Sequence, residues 1–232
     1  MIFDILDTDI YYINMDSQVE RNEEFLSTMS NNGFSAERIH RVSGITNKYK
    51  DSFDSHIKAL KIGLAGGKPF IIIEDDIKFN QMPPKIELYS IGTPLVSAMS
   101  LALSRYGVFD EPNYQGNFFT STNYVKKAEI NHPHIARIFN MIVAHAVYYH
   151  DLEYVKKLIK HLEFFYRPKI YISPVTGSIY KGSADPDYNS YMPVDVIMAF
   201  MQPTTFFAAL KIPAFYHPGE LEKVTRFNLT EI

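Results

Sequence analysis

The chain has 232 residues, a formal net charge of −3, 46% hydrophobic residues and no cysteine. This length and composition are typical of a globular protein with one sizeable core. The lack of cysteine excludes disulfides, thiolate zinc sites and cysteine nucleophiles, and the slightly acidic charge argues against a general nucleic-acid-binding protein. No apolar run approaches the roughly 20 residues of a membrane span, and the start shows no secretory signal, so we expect a cytoplasmic protein.

The first part of the chain predicts a strand, a helix and a second strand. The strand covers Asp9 to Met15, which is aromatic and β-branched. In the helix that follows, Ser17 and Glu20 fit a capping box and Gly33 fits a C-terminal stop. Its inward face is predicted, at helical spacing, to consist of Val19, Phe25, Leu26 and Met29. With a second strand at residues 38–42, this order begins a right-handed α/β unit.

A helix from Asp54 to Ala65 then leads to the apolar run Phe70 to Ile73. Four consecutive large apolar residues are typical of a strand that is covered on both faces of a parallel sheet. Further along, the patterns predict helices over residues 94–106, 152–165 and 193–201, and strands over residues 139–149, 204–210 and 213–216. There is no internal repeat or linker, so residues 1–232 are predicted to form a single α/β domain whose mainly parallel sheet is flanked by helices.

Three carboxylates, Glu74, Asp75 and Asp76, follow the apolar run directly. Open α/β sheets bind ligands in the crevice beyond the carboxyl ends of their strands. Three adjacent negative charges there are costly unless a cation or an array of donors compensates them. The triplet therefore predicts a divalent-metal site, with a solvated acidic loop as the alternative. Alternate side chains of an extended segment point the same way, so Glu74 and Asp76 can share a face.

Five short segments resemble, in order and approximate spacing, the family 25 glycosyltransferases. This family includes bacterial lipooligosaccharide sugar transferases and the galactosyltransferases that act on collagen hydroxylysine. The segments lie between about Ile10 and Met201 and are Ile13-Asn14-Met15-Asp16 followed by Arg21, Ser55-His56, Glu74-Asp75-Asp76, Ala144-His145-Ala146-Val147-Tyr148 and Pro193-Val194-Asp195. Two features depart from the family pattern: residues 17–20 replace a more arginine-rich stretch, and the strand at Ala144 lacks the family's glycines.

The resemblance implies a GT-A fold, a Rossmann-like mixed, mainly parallel sheet that binds a nucleotide-diphospho-sugar. It also implies that Mn²⁺ or Mg²⁺ is held by the acidic motif and that the anomeric carbon is inverted. The expected metal ligands are Asp76 directly, Glu74 directly or through water, and His217 after a late strand. A loop histidine without such a role is the alternative for His217, and His145 is expected to be a buried core histidine.

The donor is expected to contact residues at strand ends and helix starts. These residues are Asn14, Asp16, Arg21, Ser55, His56 and Asp75. The alternatives are that Asp16 supports a helix cap, that Arg21 pairs with Glu24 or a neighbour on the helix surface, and that Ser55 is an ordinary N-cap.

The expected general base is Asp195, because its position at a helix start after Pro193-Val194 would aim it into the crevice. The helix dipole would keep it ionised. An ordinary acid at a helix start is the alternative reading, and Asp185 and Asp187 are the other candidate bases. Residues 113–131 are expected to form a lid or a wall on the acceptor side.

The predicted function is that of a metal-dependent, inverting glycosyltransferase. It would move a sugar from a nucleotide sugar, first of all a UDP-sugar, to a glycan or another hydroxyl acceptor. A nucleotidyltransferase is one alternative, although it should carry a glycine- and lysine-rich phosphate loop, which residues 14–17 do not form. A non-catalytic module that binds nucleotide sugars is the other alternative.

Overall fold

The structure is a computed structural model, and it describes residues 2–45, 51–88, 96–102, 132–137, 145–165, 171–172, 179–180, 194–202 and 205–216. The strands are Ile2–Phe3 (β1), Asp9–Asn14 (β2), Ile39–Ser43 (β3), Phe70–Glu74 (β4), Lys78–Phe79 (β5), Ile86–Glu87 (β6), Ala98–Ser100 (β7), Ile135–Arg137 (β8), Ala146–Tyr149 (β9), Tyr171–Ile172 (β10), Ile179–Tyr180 (β11), Phe207–Leu210 (β12) and Phe215–Tyr216 (β13). The helices are Val19–Asn31 (α1), Asp51–Ala65 (α2), Leu152–Phe165 (α3) and Val194–Met201 (α4).

Seven strands form the main sheet, in the order β3-β2-β4-β9-β7-β12-β8. Strands β3, β2 and β4 are parallel neighbours, and so are β7 and β12, whereas β9 and β8 pair antiparallel with their neighbours. Strands β2, β3, β4, β7 and β12 therefore point one way and the other two point the opposite way. The prediction of an α/β fold with a mixed, mainly parallel sheet is confirmed.

Both faces of the sheet are covered, and β4 shows how. Phe70 and Ile72 point into a core shared with α2, α3 and α4, whereas Ile71 and Ile73 point into a second core that includes residues of α1. None of the four side chains is more than 1% exposed. The continuous apolar run is thus explained by burial on two faces, as the sequence predicts.

Helix α1 differs from its prediction at its first turn. The helix begins at Val19, Gln18 occupies the N-cap position, and no side chain caps it, so the predicted capping box is wrong. The reason is a turn after β2, in which the Gln18 N–H donates to the Met15 carbonyl at 2.8 Å. Phe25 and Met29 are buried as expected, but Val19 and Leu26 are 60% and 38% exposed. The expected stop is confirmed, since Gly33 has a φ of +83°.

The predicted helix over residues 94–106 is wrong for its central part, because Ala98–Ser100 form strand β7. This strand lies between β9 and β12, and the segment from Val96 to Ala102 is buried throughout. A short apolar segment covered on both faces is better accommodated as a strand, and tertiary pairing outweighs local propensity here.

Candidate metal site at the carboxyl edge of the sheet

Side chains from distant parts of the chain meet at one edge of the main sheet. Asn14 and Glu74 are the last residues of the parallel strands β2 and β4. Because β9 runs antiparallel to β4, its amino end reaches the same edge, and His145 directly precedes it. The Glu74 N–H donates to the His145 carbonyl at 2.8 Å, which fixes the two residues side by side.

Glu74 is held by two histidines. His56 Nε2 lies 2.8 Å from Glu74 Oε1, and His145 Nδ1 lies 2.5 Å from Glu74 Oε2. The Glu74 side chain is 20% exposed and that of His56 only 1%. Burial alone would raise the pKa of Glu74, but the hydrogen bonds and the charges of His145 and His56 hold it well below its usual range. Glu74 is therefore ionised at neutral pH.

Glu74, Asp76 and His145 together could hold a metal ion. Each offers one ligand atom, and these atoms all lie within 4.8 Å of one another. Two carboxylates and an imidazole are a donor set that divalent cations accept. Glu74 and Asp76 come together as expected, but through a turn at Asp75 and Asp76 that follows β4 and not through the alternation of an extended chain. The expectation that His145 is a buried core histidine is wrong, since its side chain is 32% exposed and points at Glu74.

The middle carboxylate of the triplet is turned to different partners. Asp75 Oδ2 accepts a hydrogen bond from Asn14 Nδ2 at 2.7 Å, and Asp75 Oδ1 is paired with Arg21. The Asp75 side chain is 8% exposed. Arg21 also lies 3.6 Å from Asp76 Oδ2, so one guanidinium faces both carboxylates. The alternative in which Arg21 pairs with Glu24 does not apply, because Arg21 pairs with Asp75, while Glu24 pairs with Lys78.

Asp16 and Asn14 are bridged by Arg41, which is not one of the site residues predicted from the sequence. Arg41 of β3 donates from Nε to Asn14 Oδ1 at 2.8 Å and from Nη2 to Asp16 Oδ1 at 2.7 Å. The Ser43 hydroxyl also donates to Asp16 at 2.9 Å, and these hydrogen bonds from Ser43 and Arg41 lower the pKa of Asp16. The parallel pairing of β2 with β3 brings these residues together, although Arg41 follows Asn14 by 27 residues in the chain.

Ser55 and His56 lie deeper than predicted. Helix α2 begins at Asp51, so the prediction that both residues lie in its first turn is wrong. Both are 1% exposed. Ser55 Oγ accepts a hydrogen bond from the Ile45 N–H at 2.9 Å, so the hydroxyl fixes the connection after β3. Donor contacts by these two residues stay a prediction.

The remaining predicted site residues are placed only in part. Asp195 lies in the first turn of α4 and is partly buried. Its neighbour Val194 belongs to the core shared with α2 and α3. A role for Asp195 as a base stays a prediction. His217, Asp185, Asp187 and the proposed lid at residues 113–131 lie outside the described residues.

No protein-family model matches the chain, and a comparison with curated proteins finds no match. The resemblance to the family 25 glycosyltransferases therefore rests on the motifs in the sequence. Within the described part of the chain, no helix combines the length and the apolar character needed to cross a membrane.

Proposed function

We propose that the protein is a metal-dependent glycosyltransferase of the GT-A type. It moves a sugar from a nucleotide sugar, in the first instance a UDP-sugar, to a hydroxyl acceptor such as a glycan. The observation that carries this proposal is the group of Glu74, Asp76 and His145, whose ligand atoms lie within 4.8 Å of one another at the carboxyl edge of the sheet.

The position of this group supports a nucleotide-sugar substrate. In α/β sheets the crevice beyond the carboxyl ends of the strands is the usual ligand site. A divalent cation held there would neutralise charge on the departing nucleoside diphosphate. Because the set includes an imidazole beside two carboxylates, it suits Mn²⁺ better than Mg²⁺, which prefers oxygen ligands.

The chain's own residues would prepare this site in two ways. Glu74 is already ionised in its hydrogen bonds with His56 and His145, so a cation meets a charged carboxylate. Arg21 stands beside Asp75 and Asp76 with a side chain that is 40% exposed. A guanidinium in that position can bind the phosphates of a donor.

For the acceptor, we propose Asp195 as the base that takes the proton of the attacking hydroxyl, with inversion at the anomeric carbon. The amino end of α4 favours its ionised form. Asp195→Asn should lower kcat strongly and leave Mn²⁺ binding unchanged, since Asp195 is not one of the three proposed ligands. A matching loss of Mn²⁺ affinity in this variant would contradict the assignment.

A nucleotidyltransferase is the rival enzyme class, because it would use similar acids and a cation. The turn after β2 argues against it, since Asn14, Asp16 and Arg41 form a hydrogen-bonded network there instead of a glycine- and lysine-rich phosphate loop. A non-catalytic nucleotide-sugar module would bind the same ligands without releasing UDP.

The test measures UDP release from UDP-glucose and UDP-galactose with Mn²⁺, for the wild type, Asp76→Ala and Asp9→Ala. Asp9 is a matched control because it lies at the opposite end of β2. We expect slow metal-dependent hydrolysis that falls at least about 100-fold in Asp76→Ala, the size expected when several kcal/mol of charge stabilisation are lost. Asp9→Ala should retain it. Binding of a nucleotide sugar without UDP release would favour the binding module, and no metal-dependent binding of any nucleotide sugar would refute the proposal.

A further inference from the structure

His56 is the most deeply buried polar group in contact with the metal site. Its side chain is 1% exposed, and its Nε2 lies 2.8 Å from Glu74 Oε1. A group this enclosed is poorly placed to touch a sugar or a phosphate that arrives from solvent. It also lies outside the set of Glu74, Asp76 and His145, so its position beside the site needs a separate explanation.

The hydrogen bonds of the imidazole define its tautomer. Among the residues that the structure describes, His56 Nδ1 is buried without a hydrogen-bond partner. A buried N–H without a partner is rarer in proteins than a buried acceptor without one. Because the Glu74 carboxylate can only accept a hydrogen bond, His56 Nε2 carries a proton and donates it to Glu74 Oε1.

This hydrogen bond gives the two carboxylate oxygens of Glu74 different surroundings. Oε1 is fixed from inside the protein by His56, whereas Oε2 faces His145 Nδ1 at 2.5 Å. Since His145 belongs to the metal group and its side chain is 32% exposed, Oε2 is the oxygen on the accessible side. Groups that orient a metal ligand in this way commonly contribute 10–100-fold to metal affinity.

We propose that His56 is a positioning residue which fixes Oε1 of Glu74 and thereby makes Glu74 a monodentate metal ligand through Oε2. This inference rests on the proposed metal site. Among the residues that the structure describes, three side chains would then supply ligand atoms, and one of the three is an imidazole.

The experiment measures Mn²⁺ affinity by the loss of the free-ion EPR signal, which does not depend on turnover. His56→Gln places an amide nitrogen near the position of Nε2, whereas the shorter amide of His56→Asn does not reach Oε1. His150→Gln is the matched control, because His150 is also buried but lies at the other end of β9, where its Nδ1 is 3.0 Å from the Tyr148 hydroxyl.

We expect His56→Asn to weaken Mn²⁺ binding about 10–100-fold, His56→Gln to retain most of the affinity and His150→Gln to retain all of it. Pulsed EPR of bound Mn²⁺ should show imidazole nitrogen coupling that is reduced in His145→Ala and unchanged in His56→Gln. Equal affinity in His56→Asn and the wild type would overturn the inference, and so would a loss of imidazole coupling in His56→Gln. If the wild type binds no Mn²⁺, the proposed function fails together with the inference. If the wild type binds Mn²⁺ and His56→Asn binds it equally well, only the inference about His56 fails.

Discussion

The two ends of the main sheet both carry acidic residues, but they hold them differently. At the amino edge, a cavity of about 410 Å³ is lined by Asp4, Asp7 and Asp9. Their partners are long surface side chains: Arg38 lies 3.6 Å from Asp7 and 3.5 Å from Asp9, and Lys85 lies 2.6 Å from Asp4. Arg38 is 40% and Lys85 72% exposed. Such pairs contribute little to stability.

At the carboxyl edge, Glu74 and Asp75 each have one partner that is deeply buried. His56 and Asn14 are each 1% exposed, and they fix Glu74 and Asp75, which are 20% and 8% exposed. Acidic residues occur at both edges, so their presence alone does not separate the two. The carboxyl edge differs in that a buried partner fixes the orientation of Glu74 and of Asp75.

The largest expected effect that tests this contrast is the loss of Glu74. Glu74→Ala removes the partner of the buried His56, so we expect the free energy of unfolding to fall by about 3 kcal/mol. Asp9→Ala removes only partly exposed pairs and should cost less than about 1 kcal/mol. Urea unfolding followed by circular dichroism measures both. Equal losses in the two variants would contradict the distinction between the edges.

The next effect concerns the packing that places α2 against β4. A Cβ at Gly63 would lie 2.4 Å from the Phe70 ring, which is 1% exposed and stacks on Tyr149 at a centroid distance of 5.3 Å. Gly63→Ala should therefore lower the free energy of unfolding by about 1–3 kcal/mol. Because the same helix carries His56, Mn²⁺ affinity should fall too. Ile62→Ala, at a position 40% exposed, is the control; a larger loss there would refute the packing argument.

A smaller effect is expected in the core, at the buried hydroxyl of Tyr154. Among the described residues, the Tyr154 hydroxyl is buried without a hydrogen-bond partner, and burial raises its pKa. Tyr154→Phe should raise the free energy of unfolding by about 1 kcal/mol, because an unsatisfied buried hydroxyl is removed. Tyr149→Phe loses only a contact of 3.7 Å with the Met198 sulfur and should be near neutral. Thermal denaturation of both variants checks this, and destabilisation by Tyr154→Phe would contradict it.

The smallest expected effect is a pH dependence at the amino edge. Burial lowers the pKa of His150 below its usual 6.5, and nearby Asp151 only partly opposes this shift. The unfolded chain therefore binds this proton more readily, so the contribution of His150 to stability is lost as the pH falls below about 6.5. Urea unfolding from pH 8 to pH 5.5 should show a shallower pH dependence in His150→Gln than in the wild type. Identical slopes would show that His150 does not titrate in this range.

Local patterns predicted the parts of the fold that local physics controls. The apolar spacing of residues 152–165 predicted α3 with its observed bounds, and the unbroken run at Phe70 predicted a strand covered on both faces. The apolar spacing around Ala98 favours a helix, but the segment is a strand because it pairs with β9 and β12, which follow it in the chain. Pairing with strands that are distant in the chain produces no periodicity in the local sequence.

The same limit applies to the site. The grouping of Glu74 with Asp76 could be predicted because the two residues are neighbours in sequence, although a turn and not strand alternation brings them together. His145 could not, because it reaches Glu74 only through the antiparallel pairing of β9 with β4. Arg41 likewise reaches Asn14 through the register of β2 with β3. A weak signal did exist, since His145 is a polar residue directly before an apolar run, as Glu74 is a polar residue directly after one.

The antiparallel strand β9 also has a consequence for the folding of the chain. Glu74 and His145 are separated by 71 residues, so their side chains meet only after β4 and β9 have paired. Pairings of such long range close late and slowly, because the loop entropy must be lost first. A metal bound by both residues would bind the folded chain in preference to the unfolded one and stabilise it by mass action. The rate at which Mn²⁺ binds during refolding would then report when β4 and β9 pair.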